Sequence, residues 1–139
     1  LQSYIYDSYT AHKEGRTSTG NASRRSFETP PAPSFNNIYV ANTFGGDVND
    51  LIREVDKGVF IKGFTMGSHL TDPLKGTFSI TSLNAFYVEG GDIKYPLKSV
   101  SASGNFFELI KNVIKVASDY RLTFSGKIPS ILFDGVTFI

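Results

Sequence analysis

Cysteine is absent from all 139 positions, and with it any disulfide scaffold, thiolate ligand or thiol nucleophile within these residues. Tryptophan is also absent, and histidine occurs only at His12 and His69. Metal centres and general bases draw heavily on histidine, so a complete catalytic metal site has little here to build from. No apolar run approaches the ~20 residues that a bilayer span requires. Neither sign of charge dominates: 14 Lys and Arg face 13 Asp and Glu, for a net charge of +1. That balance supplies no electrostatic case for a nucleic-acid or acidic-membrane partner. Leu1-Gln2-Ser3-Tyr4 opens without Met, a basic stretch or a signal-type apolar segment, and the chain reads as a piece of a longer protein. No internal repeat is visible.

What is present is globular in character, with 40% apolar and 19% charged residues. Residues 1–36 are polar and rich in Ser, Thr, Gly and Pro, ending in Pro30-Pro31-Ala32-Pro33. They are expected to form an extended loop or edge region leading into a β-rich domain over 37–139. Two amphipathic helices are expected inside that domain. Asp47 can cap the first, over about 47–57, where Val48, Leu51, Ile52 and Val55 make one apolar stripe and Gly58 stops it. Asn105 can cap the second, over about 105–118, with Phe106, Leu109, Ile110, Val113, Ile114 and Ala117 on its buried face.

Strand signals surround the helices at 37–40, 58–64, 77–88, 93–97, 120–124 and 131–138, all rich in β-branched and aromatic residues. Glu89-Gly90-Gly91-Asp92 is read as the turn of a hairpin. The expected class is therefore α+β, with a mixed or antiparallel sheet. The Phe and Tyr residues are read as packing on pleated faces.

Few side chains form a chemical pattern. Neither histidine stands in an i, i+4 or HExxH pair that would point two imidazoles at one ion, and a solvated loop residue is the plainer reading of each. The glycine pairs match neither phosphate-loop pattern and suit turns and caps. No G-x-S-x-G elbow accompanies the serines. Lys13, Arg16, Arg24 and Arg25 form a modest basic cluster, able to bind a carboxylate or phosphate in a forked geometry or to remain solvated.

The order of short motifs adds a resemblance. Ser8–Gly15 with Ser18-Thr19-Gly20-Asn21, then Arg24-Arg25, then Pro31–Asn37, is similar to successive segments of TldD/PmbA proteins. Asp50-Leu51-Ile52 through Ile61, Gly76-Thr77-Phe78-Ser79, Tyr87–Leu97 and Ser103-Gly104-Asn105 resemble later segments in the same order. The chain thus resembles the C-terminal domain of the TldD/PmbA (TldE) family, described as cytoplasmic zinc peptidases and formerly as modulators of DNA gyrase.

The resemblance implies zinc on an HExxxH helix plus a later cysteine in the catalytic subunit, with the helix lying before Leu1. Ser125-Gly126-Lys127 stands where the family has Cys-Gly-Lys, and a serine hydroxyl is a poor zinc ligand beside a thiolate. Together with the ending Ser130–Thr137, this favours the metal-free PmbA-like branch, whereas Arg24-Arg25 leans toward TldD. No metal-binding or catalytic residue is assigned to this chain. The implied partners are a TldD-like subunit, in a homo- or heterodimer, and an extended peptide, with no nucleic acid and no membrane. Asn21, Arg24, Arg25 and Asn37 are the candidate substrate contacts, reading peptide backbone and carboxylates. The competing reading is a β-rich module that binds protein or carbohydrate without proteolysis.

Overall fold

Val, Ile, Thr, Phe and Tyr concentrate where strands form. The computed structural model describes residues 2–67, 71–72, 74–124 and 126–139, and is strand-rich with short helices. In chain order the elements are α1 (Ser8–Lys13), β1 (Ala22–Ser23), β2 (Ala32–Pro33), β3 (Ile38–Tyr39), α2 (Val48–Arg53), β4 (Lys57–Ile61) and β5 (Thr77–Ser82). There follow β6 (Ala85–Glu89), β7 (Asp92–Leu97), β8 (Val100–Asn105), α3 (Phe106–Lys111), β9 (Val113–Val116) and β10 (Arg121–Thr123). The last are β11 (Gly126–Ile128), β12 (Ile131–Phe133) and β13 (Thr137–Phe138). The α+β class expected from the sequence is the class observed. The chain divides into two units, Leu1–Val40 with Arg121–Ile128, and Ala41–Tyr120 with Pro129–Ile139.

The first unit is held mainly by hydrogen bonds. Asp7 caps α1, its Oδ1 accepting from the Thr10 amide at 2.7 Å and the Thr10 hydroxyl at 2.6 Å. Ala11 is the one residue that α1 buries. Beyond α1, β1 pairs antiparallel with β2, and β11 lies between β10 (antiparallel) and β3 (parallel). Gly126 is obligatory at the parallel contact, because its φ is +150° and a Cβ there would fall inside the Ile38 backbone.

The second unit holds most of the apolar core: Leu51 and Ile52 of α2, Ala85 and Val88 of β6, Val100 and Ala102 of β8, and Val116-Ala117. Burying each of the larger of these side chains stabilises the fold by roughly 2 kcal/mol. Its sheets are narrow, β4-β6-β7, β13-β8-β5 and the pair β12-β9. The expected turn is present, since Glu89 pairs with Asp92 and Gly90 and Gly91 have φ of +58° and +79°. A side chain at Gly91 would also meet the Arg53 carbonyl oxygen at 2.8 Å. Along β9, Thr43 substitutes for a strand. Its amide donates to the Val116 carbonyl at 2.9 Å, and its hydroxyl oxygen accepts from the Val116 amide at 2.8 Å. Ser118 continues the seam, its amide and its hydroxyl both donating to the Gly46 carbonyl.

The local expectations need five corrections. The helix expected over 47–57 ends at Arg53, with Glu54 as its C-cap, and β4 has begun by Lys57. The helix expected over 105–118 ends at Lys111, and Val113–Val116 is a strand because its β-branched residues pair with Ile131–Phe133. The single strand expected over 77–88 breaks at Leu83-Asn84, where the Ser82 hydroxyl accepts from the Asn84 amide at 3.2 Å. Consequently β5 pairs with β8, while β6 pairs with β4 and β7. Residues 131–138 likewise split, β12 pairing with β9 and β13 with β8. Within residues 1–36, α1 was not anticipated.

Candidate functional site

A short hairpin carries most of the expected contact residues. The Asn21 carbonyl accepts from the Ser34 amide, and Asn36 Nδ2 donates to the Gly20 carbonyl at 3.3 Å, closing the base. Ala22 then pairs with Pro33 and Ser23 with Ala32. Arg24 and Arg25 follow at once, and the tip is braced by Thr29, whose hydroxyl oxygen accepts from the Ser26 amide at 3.1 Å. Everything from Ala22 to Pro33 is exposed, and Phe27 at the apex is 87% exposed. The hairpin is a finger with no packing of its own, stiffened by Pro30, Pro31 and Pro33, whose φ angles are fixed and which donate no amide hydrogen.

The four candidate residues take different places on this finger. Asn21 is half-buried at its base, Arg24 and Arg25 lie exposed at the start of the tip, and Asn37 is exposed beyond the base, next to β3. No hydrogen bond among the described residues joins the four side chains. Arg24 and Arg25 are neighbours in the chain, while Asn37 lies past the base of the finger. Phe27 was not singled out from the sequence, although its place between Arg25 and Pro30, inside the Ser26–Thr29 turn, was a usable signal.

Two perturbed groups flank the finger's root. Asp7 is held below the usual carboxylate range, first by the Thr10 hydroxyl and then by the Thr10 amide. Tyr6 is raised above the ordinary phenol value, chiefly because its hydroxyl donates to Glu14 Oε2 at 3.0 Å. The Thr19 hydroxyl accepts from the Tyr6 amide at 2.8 Å, tying the segment before the finger back to α1. His12 is exposed on α1. The expectations for His69 and Ser125 fall outside the described residues.

Among the described residues no three His, Cys, Asp or Glu side chains converge, and the chain has no thiolate. Two concavities lie among the described residues of the second unit. A 60 Å³ hollow between β8 and α3 is lined by Ser103, Asn105, Glu108 and Asn112, among others, and has room for little beyond water. A larger groove, of about 340 Å³, is bordered by Asp72, Gly76, Phe106 and Phe107. None of the described helices is long and apolar enough to cross a membrane.

Known proteins share both sequence and fold with the chain. All of residues 1–139 match the family model of the PmbA/TldA metallopeptidase C-terminal domain. A metalloprotease of Methanothermobacter thermautotrophicus is 36% identical over 131 residues, covering 91% of this chain and 28% of that protein. A Thermotoga maritima structure, whose name ties it to modulation of a DNA gyrase, superposes with a TM-score of 0.83 at 26% identity. That match covers 100% of this chain and 31% of the other. TldE of Thermococcus kodakarensis has the same fold, with a TM-score of 0.80 at 24% identity over 99% of this chain and 31% of its own. The chain thus spans less than a third of the length of these relatives.

Proposed function

The chain belongs to the PmbA/TldA metallopeptidase C-terminal domain family, and from that premise we propose that it supplies subunit contacts and walls of a peptide-binding chamber to a zinc peptidase complex. In this reading the zinc and the water it activates sit on a TldD-like subunit, and this domain holds the peptide extended. The complex is cytoplasmic, and the domain's carrier pairs with an identical or a TldD-like partner. The observation that carries the reading is the exposed finger, with Asn21 at its base and Arg24 and Arg25 at its tip. Amide and guanidinium groups are suited to peptide carbonyls and carboxylates, the latter in a forked geometry. The outer strand β10, exposed along its length, belongs to the same unit and offers an edge of the kind on which an extended peptide can add a strand.

The test is peptide cleavage by the intact polypeptide assembled with its partner. Replacing Asn21, Arg24, Arg25 and Asn37 together by alanine is expected to raise KM for an unfolded peptide about tenfold or more, the loss of one to two charge-assisted hydrogen bonds. Unchanged kinetics would remove these residues from the peptide path. The same residues could serve a module without peptidase function, so co-purification with an HExxxH-bearing subunit is the accompanying measurement. Solitary binding of a carbohydrate would favour the non-enzymatic reading.

A further inference from the structure

Charge is distributed unevenly between the two units. The first carries six Lys and Arg against three Asp and Glu, the second eight against ten. Ion pairing is uneven as well. All five salt bridges among the described residues, such as Arg53–Asp50 and Lys115–Glu54, join residues of the second unit. In the first unit Arg24, Arg25 and Arg121 take part in no ion pair and no side-chain hydrogen bond among the described residues.

Two of the first unit's three acids are engaged elsewhere. Asp7 is 4% exposed and caps α1, and Glu14 accepts from Tyr6. Glu28 at the finger's apex pairs with neither neighbouring arginine. Arg24 and Arg25 are thus exposed and unpaired, three and two residues before Phe27, which is 87% exposed. Arginine next to an aromatic ring is the chemistry that polypeptide interfaces enrich. The first unit thus carries an excess of three positive charges, and forked pairing of its guanidiniums to carboxylates acts at short range. The prolines narrow the approach further. Pro30, Pro31 and Pro33 carry no amide hydrogen, so β2's side of the finger is poor at taking an added strand. A peptide pairing with the finger is directed to the β1 side, which leads straight into Arg24 and Arg25.

We propose that the finger makes this domain selective for acidic peptides, with Arg24 and Arg25 pairing with Asp or Glu side chains of an extended chain and Phe27 covering an apolar neighbour. This deepens the peptide-chamber reading and rests on it, since it gives the substrate class of the same surface.

The experiment is binding, read by fluorescence anisotropy of two labelled decapeptides, on the intact polypeptide with its partner. One peptide carries spaced Asp and Glu, and the other carries Asn and Gln at the same positions. The acidic peptide is expected to bind about tenfold more tightly at low salt, with the ratio shrinking as salt screens the charges. In R24A/R25A the ratio is expected to fall to about one, whatever the absolute affinities. Equal loss for both peptides would overturn the selectivity while leaving the arginines as peptide contacts. A ratio that persists in R24A/R25A would overturn it by placing the selectivity elsewhere. A labelled single-stranded oligonucleotide is the third probe. Its salt-sensitive binding, lost in R24A/R25A while the peptide ratio stays put, would assign the finger to nucleic acid and overturn the proposal. Circular dichroism on the variant confirms folding, which is expected because both side chains are exposed and unpaired.

Discussion

Asp7 shows how a single carboxylate organises a segment in which α1 buries only Ala11. Its Oδ1 accepts from both the amide and the hydroxyl of Thr10, and its pKa is lowered by that hydroxyl and by the amides at the start of α1. A carboxylate with a depressed folded-state pKa stabilises the fold above its unfolded-state value, and that contribution disappears as pH falls through the folded-state value. Asp7→Asn is therefore expected to lower thermal stability at neutral pH and to flatten the loss of stability on acidification. Melting curves taken from neutral pH down to about pH 2 check this. A variant with an unchanged acid limb would show that the cap makes no difference to folding. Asp47 is lowered in the same way, by the Asp50 and Asn49 amides, so an acid limb will remain after Asp7 is replaced.

Among the elements, packing against distant strands decided what local periodicity could not. Val88 on β6 is 1% exposed, between β4 and β7, and Val88→Ala is expected to destabilise the chain by about 2 kcal/mol. Urea denaturation measures it, and a loss below about 0.5 kcal/mol would show that the site collapses around the missing methyls. The stripe Phe106, Leu109, Ile110, Val113, Ile114 read as one helix because i, i+3, i+4 spacing cannot see the partner strand β12. The helix stops at Asn112, and the β-branched run after it pairs with a segment almost twenty positions away. In contrast, the caps Asp47 and Asn105 and the turn at Gly90-Gly91 were legible, because each is set by neighbours in sequence. α1 escaped notice because only Ala11 is buried, yet Asp7 before it and Gly15 after it, at φ +63°, were the usable punctuation. At the candidate site, Arg24 and Arg25 could be read from the sequence. The pairing of Ala22 with Pro33, which turns a loop into a finger, could not, since two-residue strands leave no alternation to detect.

For the whole molecule, unequal cores imply unequal stability. Of the buried apolar residues among those described, only Ala11 lies in the first unit, and the rest belong to the second. Amide hydrogens of β1, β3 and β10 are expected to exchange faster than those of β6 and β8, by about tenfold or more, because local opening follows the buried apolar contacts that must be broken. Hydrogen exchange read by mass spectrometry tests this on the chain alone, and uniform protection across both units would contradict it. A molecule assembled from sheets two or three strands wide also has many borders relative to its size. Thr43 closes one of them by presenting an amide hydrogen and a hydroxyl oxygen to Val116, as a neighbouring strand would. That border is thereby withheld from strands of other molecules, so this hydroxyl guards against fibrillar stacking as well as holding its own fold together.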